Sequence, residues 1–406
     1  MDRRSALNIV AGGLVASFTP WGASAAGPNN LLGYIRTNWS RDPFSLGSYS
    51  YVAKGAKRSD IRRLEKPIGD RIFFAGEAVF PNRNSTVHAA HESGLRTARE
   101  VLKHGYGSVA VIGAGMSGLT AAKTLSDDGL DVTVFEARDR IGGRVWTNKD
   151  LGPALDLGAS WIHGIRNNPL IPLSDSVGQA RIETEDSYII RGKNGRVISD
   201  AKAPDWLDQV AEIQHSAGAD LDQINTRAYW FTDDYGGVDV KFRDGYSDIF
   251  DALKGDYAVA LSSIVERIVY SDRAASLIAR GGELKDFDAV VVTLPLGVLK
   301  SGSVEFDPPL PDEKQQAIDR LGMGTLDKVY LLFERAFWDD DATWILTPEN
   351  DLPPGHFNQW LNLHRYIDAP VIMAFNGGTP ALALADASDT QIVEQAVQTL
   401  RLAYAE

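Results

Sequence analysis

Apolar positions along this chain cluster first in the run Val109-Ala-Val-Ile112, the pattern of a strand buried on both faces of a parallel sheet. Glycines at 113, 115 and 118 follow it, then a helix-like stretch from Leu119 to Leu125. A second apolar run, Asp131-Val-Thr-Val-Phe135, delivers Glu136. The order strand, glycine turn, helix, strand predicts a dinucleotide-binding unit. Gly113 permits the tight turn, Gly115 lets the backbone approach a pyrophosphate, and Gly118 lets helix and strand pack closely. The helix start at Met116-Ser117 supplies N–H groups and positive partial charge for phosphates. Glu136 lies about 20 residues past the glycines, where a ribose hydroxyl needs an acceptor. Elsewhere Phe73-Phe74-Ala75-Gly76 reads as a buried strand, and the pattern from Asp205 to Asp222 predicts one amphipathic helix.

The residues after the ribose acid narrow the ligand. Glu136-Ala137-Arg138-Asp-Arg-Ile-Gly142-Gly143-Arg144 adds a second glycine pair and arginines, and a guanidinium there can lie along the pyrophosphate. This stretch resembles the amino-terminal signature of the flavin-containing amine oxidases: monoamine oxidases, polyamine oxidases and flavin-dependent lysine-specific histone demethylases. Leu157-Gly158-Ala159-Ser160-Trp161-Ile-His163-Gly, followed by Asn168-Pro169, resembles the polyamine oxidase branch. Thr293 to Leu299, Phe306 to Leu310, Gly324 to Phe333 and Pro370 to Gly378 resemble that family's later segments. The resemblance implies an α/β fold: a Rossmann-type FAD-binding domain with a second, mixed-sheet α+β substrate domain.

The family's closing signature lies ahead of the glycine motif instead of at the end. Thr37-Asn-Trp39 to Tyr49-Ser-Tyr51 resembles its aromatic-rich segment, and Arg71 to Glu77 with Ser85 to Gly94 resembles its last flavin strand and helix. The amine oxidase fold is therefore expected in circularly permuted order, joined through Lys103-His-Gly-Tyr-Gly107; a rearranged gene that cannot close is the alternative. The expected divisions are 1–28, an export signal or disordered tail; 29–104, the permuted segment; and 107–165, the flavin βαβ unit. They continue as 166–240, a shortened substrate segment; 241–300, the return to the flavin domain; and 301–406, the substrate domain.

Composition adds constraints. The 406 residues carry no cysteine, which excludes disulfides, thiolate metal sites and a cysteinyl flavin link, so FAD is expected to be non-covalent. A formal charge of −13 argues against a nucleic-acid partner and favours a cationic substrate. No apolar run beyond residue 30 is long enough for membrane insertion. Arg3-Arg4, a mildly apolar stretch and Ala23-Ser-Ala25 read as an export signal of twin-arginine type, which implies a periplasmic or secreted protein; without it the chain is cytoplasmic. No His/Asp/Glu cluster has metal-ligand spacing.

The resemblance also assigns residues. FAD contacts are implied for Gly113, Gly115, Met116, Ser117, Gly118, Glu136, Ala137, Arg138, Gly143, Arg144, Gly158, Ala159, Ser160 and Trp161. Trp39, Gly76, Glu77, Thr86, Val87 and Val265 complete that set, Glu77 through a ribityl or phosphate-linked hydroxyl and Val265 through its backbone at the adenine. Lys328 matches the lysine that holds a water near the flavin. Strand alternation puts it on one face with Tyr330 and Leu332, though a lysine in such a strand is more often solvated. Tyr49 matches the aromatic before the flavin ring, Thr86 stands opposite it, and His163 is the polar group near the substrate chain or else a satisfied core histidine. The implied reaction is oxidation of amines, polyamines first, with O2 as acceptor, giving aldehyde, amine and H2O2. A monoamine or L-amino acid oxidase and a non-catalytic flavin-binding protein are the alternatives, because the segment from Pro169 to Gly245 is compressed.

Overall fold

The computed structural model describes residues 16–17, 30–81, 83–229 and 235–404; the export reading of the first residues otherwise lies outside them. Five parallel strands form the dinucleotide sheet, in the order Ala258–Ala260, Asp131–Phe135, Ser108–Ile112, Ala289–Val292 and Ile72–Phe74. Its central residues face two cores by strict alternation. Val109, Val111, Val132, Val134 and Val291 meet the helices Met116–Asp127 and Val87–Val101 on one side. Ala110, Ile112, Val290 and Val292 meet Ile268, Leu277 and Phe287 on the other, from a four-stranded sheet, along with helices Arg58–Glu65 and Asp312–Arg320. Burial on both faces is why these strands read as unbroken apolar runs.

The second large sheet has seven strands, in the order Ala16–Ser17, Leu31–Arg36, Leu326–Phe333, Val371–Gly377, Gln359–Asn362, Trp344–Leu346 and Tyr188–Ile190. Both its faces are covered around Leu326–Phe333. Val329, Leu331 and Phe333 pack under helix Asp389–Tyr404 through Ile392, Ala396 and Leu400. Tyr330 and Leu332 face Leu155, Leu157 and Trp161, so the division of faces follows the strand alternation.

The segment ahead of the glycine motif enters both sheets. Leu31–Arg36 lies antiparallel to Leu326–Phe333, and Ile72–Phe74 lies parallel to Ala289–Val292. Its joint to the first flavin strand is compact. Leu102–His104 forms a 3-10 turn, Gly105 takes a left-handed φ of 67°, and Tyr106 stacks on His104 at 5.2 Å. Asp288 then accepts from the N–H groups of Gly107 and Ser108, each at 2.9 Å, which aligns the strand start.

The helix expected over Asp205 to Asp222 is shorter and irregular. Helical backbone runs from Trp206 to Ala217, with a π stretch at Gln209–Gln214, and stops at Gly218 with φ 61°. Leu221–Gln223 is a separate turn.

The glycine turn separates packing from ligand approach, and that gives a test. A Cβ on Gly118 would sit 1.9 Å from the Gly113 carbonyl, whereas one on Gly115 meets nothing within 4 Å. Gly118→Ala is expected to lower the unfolding free energy of flavin-free protein by more than about 2 kcal/mol. Gly115→Ala should leave that quantity within about 0.5 kcal/mol yet weaken flavin retention. Urea unfolding with and without FAD measures both, and equal behaviour of the two variants would contradict the assignment.

Candidate active site

The dinucleotide cradle is built at the carboxyl edge of the parallel sheet. Gly113 turns at φ 105°, and helix Met116–Asp127 starts directly behind Gly115 with open space before it. Glu136 is buried, and its two oxygens accept from the N–H groups of Ala114 at 2.7 Å and Arg138 at 2.8 Å. The acid therefore pins the glycine turn to the following loop and retains lone pairs for a hydroxyl. Gly143, at φ 56°, brings its backbone close to Gly115. Ser263 donates its N–H to the Glu136 carbonyl, which places Val265 at the head of its strand beside the same turn. Thr86 caps helix Val87–Val101, accepting from the Ala89 N–H at 3.2 Å, and leaves the first amides of that helix for an anion.

Three assigned groups are otherwise engaged. Arg138 does not lie free along a pyrophosphate; its guanidinium grips Asp42 through two bonds of 2.9 and 2.8 Å and also reaches Ser45 Oγ. Glu77 accepts from Ser50 N and Oγ, Ser85 N and Arg144 Nη1, so protein donors take the capacity expected to serve a ribityl hydroxyl. Thr86 spends its hydroxyl on the cap and on the Arg83 carbonyl. In each case the partner is distant in sequence or is backbone. Arg140 was not singled out, yet its Nη2 is buried without a partner among the described residues, with the guanidinium 4.4 Å over Trp146. An open glycine turn, two helix starts and an orphaned guanidinium nitrogen fit a flavin dinucleotide.

The second part of the site lies where the seven-stranded sheet meets the Asp156–Trp161 loop. Gly158 is required there, because a Cβ would fall 1.8 Å from the Arg144 carbonyl, and Ala159 N–H bonds the same carbonyl. Trp39 is buried against this loop, its Nε1 donating to the Leu157 carbonyl at 3.3 Å. Lys328 is buried rather than solvated. Its Nζ bonds the carbonyls of Asp156 at 2.7 Å and Gly158 at 2.6 Å, and Ser160 Oγ at 2.6 Å. Those three partners take the donors expected for a water. Burial, and then the nearby Lys241, hold the Lys328 amine well below the usual lysine range.

Lys241 is a group that the sequence alone did not reveal. It is buried with Nζ 4.0 Å over the Trp161 ring, and burial pushes it down to about 8 despite Asp156. The Asp156 carboxyl accepts from Thr147 Oγ1 at 2.6 Å and Tyr246 N at 2.9 Å, and burial raises it. Two buried lysines thus share one buried carboxylate.

Aromatic rings form the adjoining wall. Trp161, Trp344 and Phe375 lie with centroids 6.1 to 6.4 Å apart, and Lys328 Nζ is 5.9 Å from Phe375. His163 is half-exposed, stacks on Trp161 at 6.4 Å and bonds Asp239 at 2.6 Å, so it stands at the mouth instead of in a core. Tyr49 donates its hydroxyl to the backbone carbonyl of His215, which ties it to the short helix. His215 was also missed, being a lone histidine in a polar helix; its ring is 5.8 Å from Phe375. Among the described residues no group of three His, Asp or Glu could hold a metal, and no helix is long and apolar enough to cross a membrane.

Comparison with known proteins agrees with this geometry. The family model described as flavin containing amine oxidoreductase matches residues 15–102, 116–205 and 216–406. Polyamine oxidase 2 of Arabidopsis thaliana is 28% identical over 365 residues, covering 75% of this chain and 74% of that protein. Probable polyamine oxidase 4 of the same plant is 30% identical, covering 70% and 68%. Lysine-specific histone demethylase 1 homolog 2, also from that plant, is 30% identical over 73% of this chain but 48% of its own length. Among solved structures, cyclohexylamine oxidase from Brevibacterium oxydans superposes with a TM-score of 0.57 at 22% identity, covering 74% of this chain and 81% of that one. Putrescine oxidase bound to putrescine gives 0.53 at 20% identity, covering 73% and 81%; both show the shared fold. The chain has the amine oxidase fold and belongs to the flavin-containing amine oxidoreductases, with FAD-dependent amine oxidation as its reaction.

Proposed function

We propose that the chain oxidises polyamines, transferring the electrons to O2: amine, water and O2 give an aldehyde, a shorter amine or ammonia, and H2O2. The observation that carries this reading is the buried Lys328–Lys241 pair beside an aromatic wall, at the strand position where the family carries its active-site lysine. The polyamine oxidases among the relatives and the net charge of −13 support the substrate class.

Amine oxidation needs the nitrogen lone pair. Burial, which already depresses both Lys328 and Lys241, makes the end of the site near Lys328 unfavourable for an ammonium, so an amine arriving there is driven to its neutral form. Trp161, Trp344 and Phe375 exclude water and hold the carbon chain by contact. His163, held by Asp239, offers a hydrogen-bonding group at the mouth. Non-covalent FAD, held at the glycine turn, Glu136 and the Thr86-capped helix start, would accept the hydride equivalent.

Two further readings go with this one. Insertion of the 31–74 strands into both sheets supports a circularly permuted order, and Arg3-Arg4 with Ala23-Ser-Ala25 supports export.

Lys328→Met is expected to keep FAD and to slow turnover by about 100-fold or more. Stability should fall by about 1–3 kcal/mol, because two carbonyls and Ser160 lose their donor. Peroxide release on spermidine by wild type and variant decides it, and matching rates would remove Lys328 from the mechanism.

Lys241 generates a pH effect on stability. Its folded value of about 8 lies below the ordinary 10.5, so the unfolded chain binds more protons between those values. The contribution of Lys241 to stability should therefore rise with pH from about 8 to 10, by up to about 1.4 kcal/mol per unit. Lys241→Met should flatten that slope in urea titrations at several pH values; an unchanged slope would place the charge elsewhere.

A further inference from the structure

We propose that His215 recognises a second nitrogen of the substrate: its bare ring Nε2 accepts a hydrogen from an ammonium on the side of Phe375 away from Lys328, which selects diamines and polyamines over monoamines. The inference rests on the amine-oxidation reading above and adds a residue and a selectivity to it.

His215 lies near the end of helical segment 206–217 and is buried. Its Nδ1 is 2.5 Å from the side-chain oxygen of Gln359. An amide oxygen only accepts, so Nδ1 carries the hydrogen and Nε2 is left as a lone-pair acceptor. That Nε2 is buried and has no partner among the described residues. Burial pushes the imidazole down to about 4, so it is neutral at neutral pH and does not repel a cation. A buried bare acceptor is costly to the fold and has no structural use here.

Register places this acceptor relative to the lysine. Lys328 pairs with Phe375 across one strand boundary, and Phe375 pairs with Gln359 across the next. The three side chains share one face of the sheet in a row spanning two strand spacings, about 10 Å. The Phe375 ring lies between the ends, 5.9 Å from Lys328 Nζ and 5.8 Å from the His215 ring. Tyr49 holds the backbone of His215 from a third direction. One end of the row thus carries two lysines and disfavours an ammonium, and the other presents a neutral acceptor that favours one. A substrate with a reacting neutral nitrogen and a distal charged nitrogen satisfies both.

The test compares butane-1,4-diamine with butylamine on FAD-loaded enzyme, for wild type and His215→Phe. The variant should raise KM for the diamine by about tenfold or more while kcat/KM for butylamine changes less than about twofold. Equal losses on both amines, or no loss on either, would overturn the inference while leaving amine oxidation intact. A wild type inert toward both amines and toward spermidine would overturn the amine-oxidation reading itself. Should His215→Phe not retain FAD, Gln359→Leu releases the tautomer without removing the ring. The same selective loss is expected from it, and equal treatment of the two amines again overturns the inference.

Discussion

The side-chain amine of Lys328 ties the two halves of the molecule together. It projects from an interior strand of the seven-stranded sheet into the Asp156–Ser160 loop, which leads away from the dinucleotide cradle, and bonds two carbonyls and a hydroxyl there. Tyr330, two residues on along the same face, donates to the Asp156 carbonyl as well. A buried amine is tolerated only where its hydrogen-bonding capacity is met, so the loop and the strand constrain each other. The tight approach of Gly158 to the Arg144 backbone extends that constraint to the loop following Glu136.

From this tie follows the polarity of the pocket. Lys241 and Lys328 approach the same loop from two different strands, and Asp156 is the single buried carboxylate between them. The two lysines depressed by burial lie behind Trp161, while the opposite end of the aromatic wall meets a helix whose histidine stays neutral. The compressed segment before Gly245 therefore still supplies a wall: a short helix with a π stretch that turns His215 toward the sheet.

Polar groups that resemble ligand contacts often do structural work in this chain. Arg138 and Asp42 are paired across 96 positions and join the flavin loop to the aromatic-rich segment. Glu77 gathers donors from Ser50, Ser85 and Arg144, fixing the strand that carries Tyr49 against the closing flavin helix. These clamps hold together pieces of chain that lie far apart in the sequence.

The sequence by itself determined the dinucleotide unit, since its signals are local. Gly113 needs a positive φ, Gly118 must lack a Cβ, and unbroken apolar runs mark strands covered on both sides. The face of Lys328 was equally legible, because a strand alternates with period two. Tertiary structure alone decided where the long polar side chains spend their hydrogen bonds. Arg138 and Glu77 went to protein partners, Lys328 was buried at a loop some 170 positions away, and Lys241 and His215 entered the site unannounced. A hydrogen bond reaches only about 3 Å, so its partner is set by how distant segments pack and leaves no trace in the neighbouring residues.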